Sequence, residues 1–210
     1  MKSQPAFMSI KGQPRNVGYT KEQIDKIGNT IIYLSQHIVD LTKTKILKTL
    51  FLLEEAAIKK TGQPFIGIDF QLWKLGPVAK DLFIDLSSDE SPVLLQEFIE
   101  KVPGDSKIFK AKTPFNNDEF SVNDIKLLDI IIDFVKDKPA AYLVKHTHGP
   151  KSLWRKSALQ YGVLELLENE LVNSTEFEID FSLLFSQPSY LSERFEDAKE
   201  NFEFIKQLKG

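Results

Sequence analysis

Apolar residues recur at spacings of three and four along much of this chain, which is the pattern of amphipathic helices. The first stripe of this kind runs from Ile24 to Leu41. Thr20 and Gln23 precede it with the residue types of a capping box, so a helix is predicted to begin there. A second stretch, from about Thr44 to Lys60, is apolar on more than one face. Such a helix is expected to run through the centre of the core.

Glycine and proline residues mark where helices end or begin. Gly62 is the residue type that caps a helix in the left-handed conformation, and Pro64 prevents the second helix from continuing. Gly76 and Pro77 are predicted to form a turn, with Pro77 as the first residue of the next helix. The same reasoning predicts further helices at 92–101, 121–135, 139–144, around Trp154, at 163–171 and at 191–205.

Two segments lack a helical pattern. Residues 65–75 are rich in aromatic and aliphatic side chains, and residues 107–112 alternate apolar and basic side chains as a strand does. A small antiparallel β element is therefore predicted near 65–72 and 107–120. The predicted fold class is mainly α (α+β), a single compact helical domain with six to eight helices around the 44–60 helix.

The chain is predicted to have three parts. Residues 1–18 mix proline and glycine with polar residues and show no period, which predicts a flexible leader. Residues 19–160 are expected to form the helical domain. Residues 161–210 are expected to form an acidic helical extension packed on the same domain. A length of 210 residues and a mass of 24.0 kDa suit a single domain.

The composition excludes several classes of protein. A hydrophobic fraction of 42% and a charged fraction of 27% are typical of globular proteins and not of disordered ones. The chain has no cysteine, so it has no disulfide framework, and the cytoplasm is the expected compartment. No apolar run reaches the length of about 18 residues that a membrane span needs, so no membrane partner is expected.

Charge is distributed unevenly along the chain. Residues 1–50 hold eight basic and three acidic residues, about +5, whereas residues 165–210 hold four basic and eleven acidic residues, about −7. The net charge of −3 argues against a protein whose main role is to bind nucleic acid. Contact with nucleic acid through the basic N-terminal half stays open as an alternative to simple solvation.

The sequence offers few groups for catalysis or metal binding. It has no phosphate-binding glycine loop, no nucleophile elbow and no zinc-binding spacing. His146 and His148 are close in sequence, but no acidic residue follows within ten positions to complete a metal site. No catalytic residue, metal or cofactor is therefore predicted, and the chain is not expected to be an enzyme.

Two segments of the sequence contain distinctive motifs that occur in a fixed order. In the first, a helix with lysines at 45 and 48 is followed by a Gly-x-Pro turn and then by Trp-Lys-Leu-Gly-Pro-Val at 73–78. In the second, Thr147-His148 precedes Trp154 and Ala158. The two segments together resemble the Panacea (SocA-like) antitoxin domain. Leu75 stands where the family usually has tyrosine, and the resemblance covers roughly residues 25–160. The matching residues that are expected to be structural or partner-binding are Lys45, Lys48, Phe51, Gly62, Trp73, Lys74, Gly76, Pro77, Val78, His148 and Trp154.

The motif residues have a structural interpretation beside the functional one. Trp73 can anchor its segment to the core, while Gly76 allows a backbone angle that other residues avoid. A buried Trp154 with a hydrogen-bonded His148 is expected. Lys45 and Lys48 are expected to face outward, with their stems on apolar surface, where they could also contact an acidic toxin or RNA.

The resemblance implies an antitoxin that neutralises a toxin encoded by a neighbouring gene through direct protein–protein binding. Family members commonly come from phages, and at least one is an adaptor that delivers its toxin to an ATP-dependent protease. Adaptor activity is therefore one alternative function, and DNA-binding regulation is another. An enzyme that uses His148 as a base is a further alternative, for which the sequence offers little. The oligomeric state is left open.

Overall fold

A computed structural model describes residues 18–89 and 91–209 of the chain. Of the described residues, 53% are helical and 12% lie in strands, which confirms the mainly α prediction with a small antiparallel β element. Within the described residues there are eight helices: α1 Lys21–His37, α2 Lys43–Thr61, α3 Lys80–Leu86, α4 Val122–Val135, α5 Ala140–Thr147, α6 Leu153–Gln160, α7 Leu164–Glu168 and α8 Tyr190–Lys209. A short 3-10 helix, Phe181–Leu184, precedes α8.

The described strands form two antiparallel sheets. The first sheet has the strand order β2-β1-β5, from Gln71–Trp73 (β1), Gly76–Val78 (β2) and Ser174–Glu178 (β5). The second sheet is a hairpin of Ile99–Val102 (β3) and Asp105–Ala111 (β4). Because β5 pairs with β1, the acidic C-terminal region is joined to the motif segment by main-chain pairing.

Helix α2 runs through the centre of the core, as its apolar residues predict. Twelve of its 19 residues are buried, and α3, α4, α5, α8 and strand β2 all pack against it. A helix surrounded on most sides needs apolar residues on more than one face, which explains the broad pattern between residues 44 and 60. This helix is the element on which the motif segments assemble.

Helix ends follow the predicted capping residues. Thr20 and Gln23 form a reciprocal capping box at the start of α1, and Ser121 caps α4. Gly62 ends α2 with a φ of 68°, and a Cβ atom at this position would lie 2.4 Å from the carbonyl oxygen of Leu191. Both its conformation and the close approach of α8 therefore require glycine.

The prediction that Pro77 begins a helix is wrong. Pro77 lies in strand β2, and α3 begins at Lys80. The pair Lys74-Leu75 turns the chain between two strands, so that Leu72 faces Pro77 in the register of the hairpin. Proline is tolerated there because β2 is an edge strand.

The helix predicted at 92–101 is also wrong. Residues 93–98 form turns, and the chain then enters strand β3. The turn residues Pro103 and Gly104, which suggested the end of a helix, connect β3 to β4 instead. The strand predicted at 107–112 is confirmed as part of β4.

The β element predicted near 65–72 begins only at Gln71, and residues 65–70 are irregular. The N–H groups of residues 65–68 donate to the carboxylate of Glu54 on α2, at 2.8 to 3.1 Å. These donors cannot also join a sheet, so pairing begins only at Gln71. The predicted leader, apart from Gly18, lies outside the described residues. No helix in the described ranges is long and apolar enough to cross a membrane.

Candidate functional site

The two motif segments meet at the N-terminal half of α2. The first segment supplies hairpin β1–β2, and the second supplies the end of α5 and the start of α6. Gly76 in the hairpin approaches both Lys48 on α2 and Thr147 on α5. The two motifs, which are far apart in the sequence, thus form one continuous cluster in the fold.

Lys48 is at the centre of this cluster and is 2% exposed. Its Nζ donates to the carbonyl oxygen of Pro77 at 2.8 Å. No acidic side chain among the described residues forms an ion pair with it. Burial lowers the pKa of Lys48 to about 7, because the charged amine is removed from water.

Lys45 is buried as well, at 1% exposure. Its Nζ lies 2.5 Å from a carboxylate oxygen of Asp40 and 3.3 Å from the carbonyl oxygen of Lys136 at the end of α4. The prediction that Lys45 and Lys48 face outward is therefore wrong. Neighbouring elements surround α2, so even its polar positions point into the protein and need partners there.

Gly76 is fixed by its surroundings. Its φ is 92°, and a Cβ atom at this position would lie 3.0 Å from Lys48 Nζ and 3.2 Å from Thr147 Oγ1. Glycine therefore permits both the backbone conformation and the close packing of the hairpin on α2 and α5.

Trp154 holds the other side of the hairpin. It is 1% exposed, and its Nε1–H donates to the carbonyl oxygen of Trp73 at 3.0 Å. The ring of His148 meets the Trp154 ring edge-on, with centroids 5.5 Å apart. The Nδ1 atom of His148 lies 2.6 Å from the carbonyl oxygen of Val144. These contacts tie α5 and α6 to strand β1.

The remaining motif residues have structural positions or join neighbouring elements. Phe51 is fully buried against the rings of Phe70 and Phe181, and Val78 is 6% exposed. Lys74 pairs with Glu170 at 3.0 Å. The N–H of Lys74 also donates to the carbonyl oxygen of Asn173 at 2.9 Å, which fastens the hairpin to the chain before β5.

A cleft of about 290 Å³ opens above the cluster, between α2, hairpin β1–β2 and α3. Trp73 and Phe83 meet edge-on in it, with ring centroids 4.9 Å apart. Leu75, at the tip of the hairpin, is 60% exposed. Lys43 lies over the Phe83 ring at 4.1 Å. The lining is largely apolar, with lysines at its base and rim.

Sequence reasoning missed Lys43 as a site residue and read Leu75 only as a departure from the family pattern. Lys43 is the first residue of α2, and nothing in the local pattern distinguishes it from a solvated lysine. Leu75 could have been identified from the sequence, because an apolar residue at the tip of a tight turn is exposed. Exposed apolar surface can mark an interaction site.

His146 and His148 do not come together. The ring of His146 packs against Phe134 and Tyr142, while the ring of His148 packs against Trp154. In the described part of the chain, no group of three histidine, cysteine, aspartate or glutamate side chains is arranged to hold a metal.

Replacing Lys48 by Met should change how stability depends on pH. The pKa of Lys48 is about 7 in the folded chain and near 10.5 in the unfolded chain. Between these values the unfolded chain binds more protons, so the contribution of Lys48 to the free energy of unfolding rises with pH. Between pH 7.5 and 9.5, the free energy of unfolding of the wild type should therefore rise relative to that of Lys48→Met by up to about 1.4 kcal/mol per pH unit.

Urea unfolding of both proteins at several pH values measures this slope. Lys107→Met is the control, because Lys107 is exposed and its variant should give a curve parallel to that of the wild type. A Lys48→Met curve parallel to the wild type would show that Lys48 keeps an ordinary pKa in the fold.

Residues 46–155 match the family model described as "Antitoxin SocA-like, Panacea domain". The match covers just over half of the chain and includes every motif residue named above except Lys45, which immediately precedes it, and Ala158, which follows it. No curated protein and no solved structure matches the chain.

Proposed function

Since the chain belongs to the family of SocA-like antitoxins with a Panacea domain, we propose that it neutralises a protein toxin encoded by a neighbouring gene, by direct binding in the cytoplasm. The observation that supports this proposal most is the family match over residues 46–155. The antitoxin family implies a toxin partner in general. Direct binding as the means of neutralisation is inferred from the shape and chemistry of the cleft.

The site suits a binding protein better than an enzyme. Its motif residues are mostly buried and hold elements together, as Trp154 and Gly76 do. Among the groups that could act as a base, Lys48 is 2% exposed beneath the hairpin, and His148 has its Nδ1 atom near the Val144 carbonyl oxygen and its ring against Trp154. None of the described ion pairs gives His148 the acidic partner that orients the imidazole base of a catalytic triad.

Nucleic-acid binding through the basic N-terminal half is less well supported than toxin binding. Two of the basic residues in that half, Lys45 and Lys48, are buried and cannot reach a phosphate backbone. Because these two lysines are buried, the surface of this half carries less of the positive charge that such binding needs.

A growth assay tests the proposed function. The adjacent gene is induced alone and together with this protein, and the amount of the adjacent gene product is followed by immunoblot. We expect growth arrest in the first case and growth with undiminished toxin in the second. Rescue with loss of the toxin would favour a proteolytic adaptor. A harmless neighbour, or one that this protein does not rescue, would contradict the antitoxin proposal.

A further inference from the structure

We propose that the cleft between α2, hairpin β1–β2 and α3 is the toxin-binding surface, and that it takes an acidic segment with an apolar side chain next to a carboxylate. This inference rests on the proposed function and names the part of the partner that the site recognises.

The apolar lining explains the apolar half of the partner segment. Trp73 and Phe83 provide two half-buried aromatic rings, and Leu75 projects from the hairpin tip with 60% of its surface exposed. Val78 and Leu47 close the cleft from below. A volume of about 290 Å³ is at the small end for ligand pockets. It suits a protruding side chain of a protein, and aromatic anchors of this kind dominate binding at tight interfaces.

The charge of the cleft explains the carboxylate. Lys43, Lys48 and Lys74 all line it, and none of the described residues that line it is acidic. Lys74 is paired with Glu170. Lys43 instead donates to the hydroxyl of Ser87 at 2.7 Å, and Lys48 donates to a carbonyl oxygen. Lys43 at the rim therefore bonds only a neutral acceptor, and a carboxylate from a partner at this position would complete the charge balance.

The amines of Lys43 and Lys48 are removed from water to different degrees. Burial lowers the pKa of Lys43 and that of Lys48, and the nearby charge of Lys101 lowers the pKa of Lys43 further. The first turn of α2, which begins at Lys43, adds the partial positive charge of a helix N-terminus. A partner carboxylate at the rim would favour the charged form of the Lys43 amine. A neutral or basic segment would leave that positive field uncompensated.

The walls of the cleft are fixed before any partner binds. The carbonyl oxygens of Trp73 and Pro77 accept hydrogen bonds from Trp154 and Lys48, so both strands of the hairpin are held from below. A preformed surface loses little conformational entropy on binding, which favours tight association. The buried motif residues thus contribute to recognition indirectly, by positioning Leu75 and Lys43 at the rim.

Two pairs of variants test the inference with the purified product of the adjacent gene as the probe. Leu75→Glu places a charge at the hairpin tip, and its control is Leu159→Glu on α6, because Leu159 is 61% exposed and Leu75 is 60% exposed. Lys43→Glu reverses a rim charge, and its control is Lys107→Glu on the exposed face of β4. An acidic residue at the start of a helix favours the helix, so Lys43→Glu should fold.

We expect Leu75→Glu and Lys43→Glu each to weaken toxin binding about 30-fold or more, as changes at the centre of an interface do. Both controls should bind within about 3-fold of the wild type, and circular dichroism should show the same fold for all four variants. Restoration of Lys43→Glu binding by an Asp or Glu to Lys change in the toxin would identify the partner carboxylate.

The outcomes separate this inference from the proposed function. If the wild type binds the toxin and all four variants bind equally well, the toxin binds elsewhere and the antitoxin function stands. If only Leu75→Glu loses binding, the cleft is correct and the acidic partner segment is wrong. If the wild type itself neither binds nor rescues, the proposed function fails.

Discussion

Replacing Glu54 by Ala is expected to lower the free energy of unfolding by about 4 kcal/mol, enough to leave much of the chain unfolded at 37 °C. Glu54 is 1% exposed on α2, and its carboxylate accepts four main-chain N–H groups from residues 65–68. Alanine would leave these buried donors without an acceptor, at a cost of about 1–3 kcal/mol for each donor that water does not reach.

Two opposing effects act on the pKa of Glu54. Burial raises the pKa of Glu54 to about 7, while the hydrogen bonds from the backbone lower it. The variant Glu54→Gln removes the charge of the side chain but keeps most of its hydrogen bonds. Its side-chain oxygen can still accept from residues 66–68, while its NH2 group faces the N–H of Phe65. We expect Glu54→Gln to lose about half as much stability as Glu54→Ala.

Glu55→Ala is the matched control for this prediction. Glu55 is the next residue on the same helix and pairs with Lys59 one turn later, a contact worth about 0.5 kcal/mol or less. Urea unfolding followed by circular dichroism gives all three free energies. Equal losses for Glu54→Ala and Glu55→Ala would contradict the role assigned to the Glu54 carboxylate.

Replacing Trp154 by Ala should cost about 4 kcal/mol of folding stability. Trp154 is among the largest fully buried side chains, and its removal leaves a cavity beneath hairpin β1–β2. The carbonyl oxygen of Trp73 also loses its donor. Because Trp73 lines the cleft, we expect toxin binding to weaken in any fraction of the variant that still folds.

Trp154→Phe distinguishes packing from hydrogen bonding at this position. Phenylalanine fills most of the same space and lacks the N–H, so its expected loss is about 1–2 kcal/mol. Thermal and urea unfolding of the two variants measure the difference. A Trp154→Phe loss as large as that of Trp154→Ala would show that the single hydrogen bond, and not the packing, holds the hairpin.

The long helices could be predicted from the sequence because their apolar stripes and caps are local signals. Thr20, Ser121 and Gly62 mark helix ends through interactions within a few residues. The strands were harder to place, since β1 and β2 are only three residues long. Strand β5 was missed altogether, because its pairing with β1 depends on residues about one hundred positions away.

The site shows the same division between local and distant information. The family motif identified the residues of the cluster, but not the direction in which they point. Lys45 and Lys48 read as solvated lysines, and they are buried because α4, α5 and β2 surround the helix that carries them. The partners that make this burial tolerable, Asp40 and the Pro77 carbonyl oxygen, come from outside the helix. No pattern within the helix itself predicts these partners.

Titration of this protein into the purified product of the adjacent gene, by isothermal calorimetry, tests the central claim most directly. Neutralisation by binding predicts a complex of defined stoichiometry with a Kd in the nanomolar to low micromolar range. It also predicts restored growth at the same ratio of the two proteins in cells. Rescue of growth by a protein that shows no binding in the calorimeter would contradict the account.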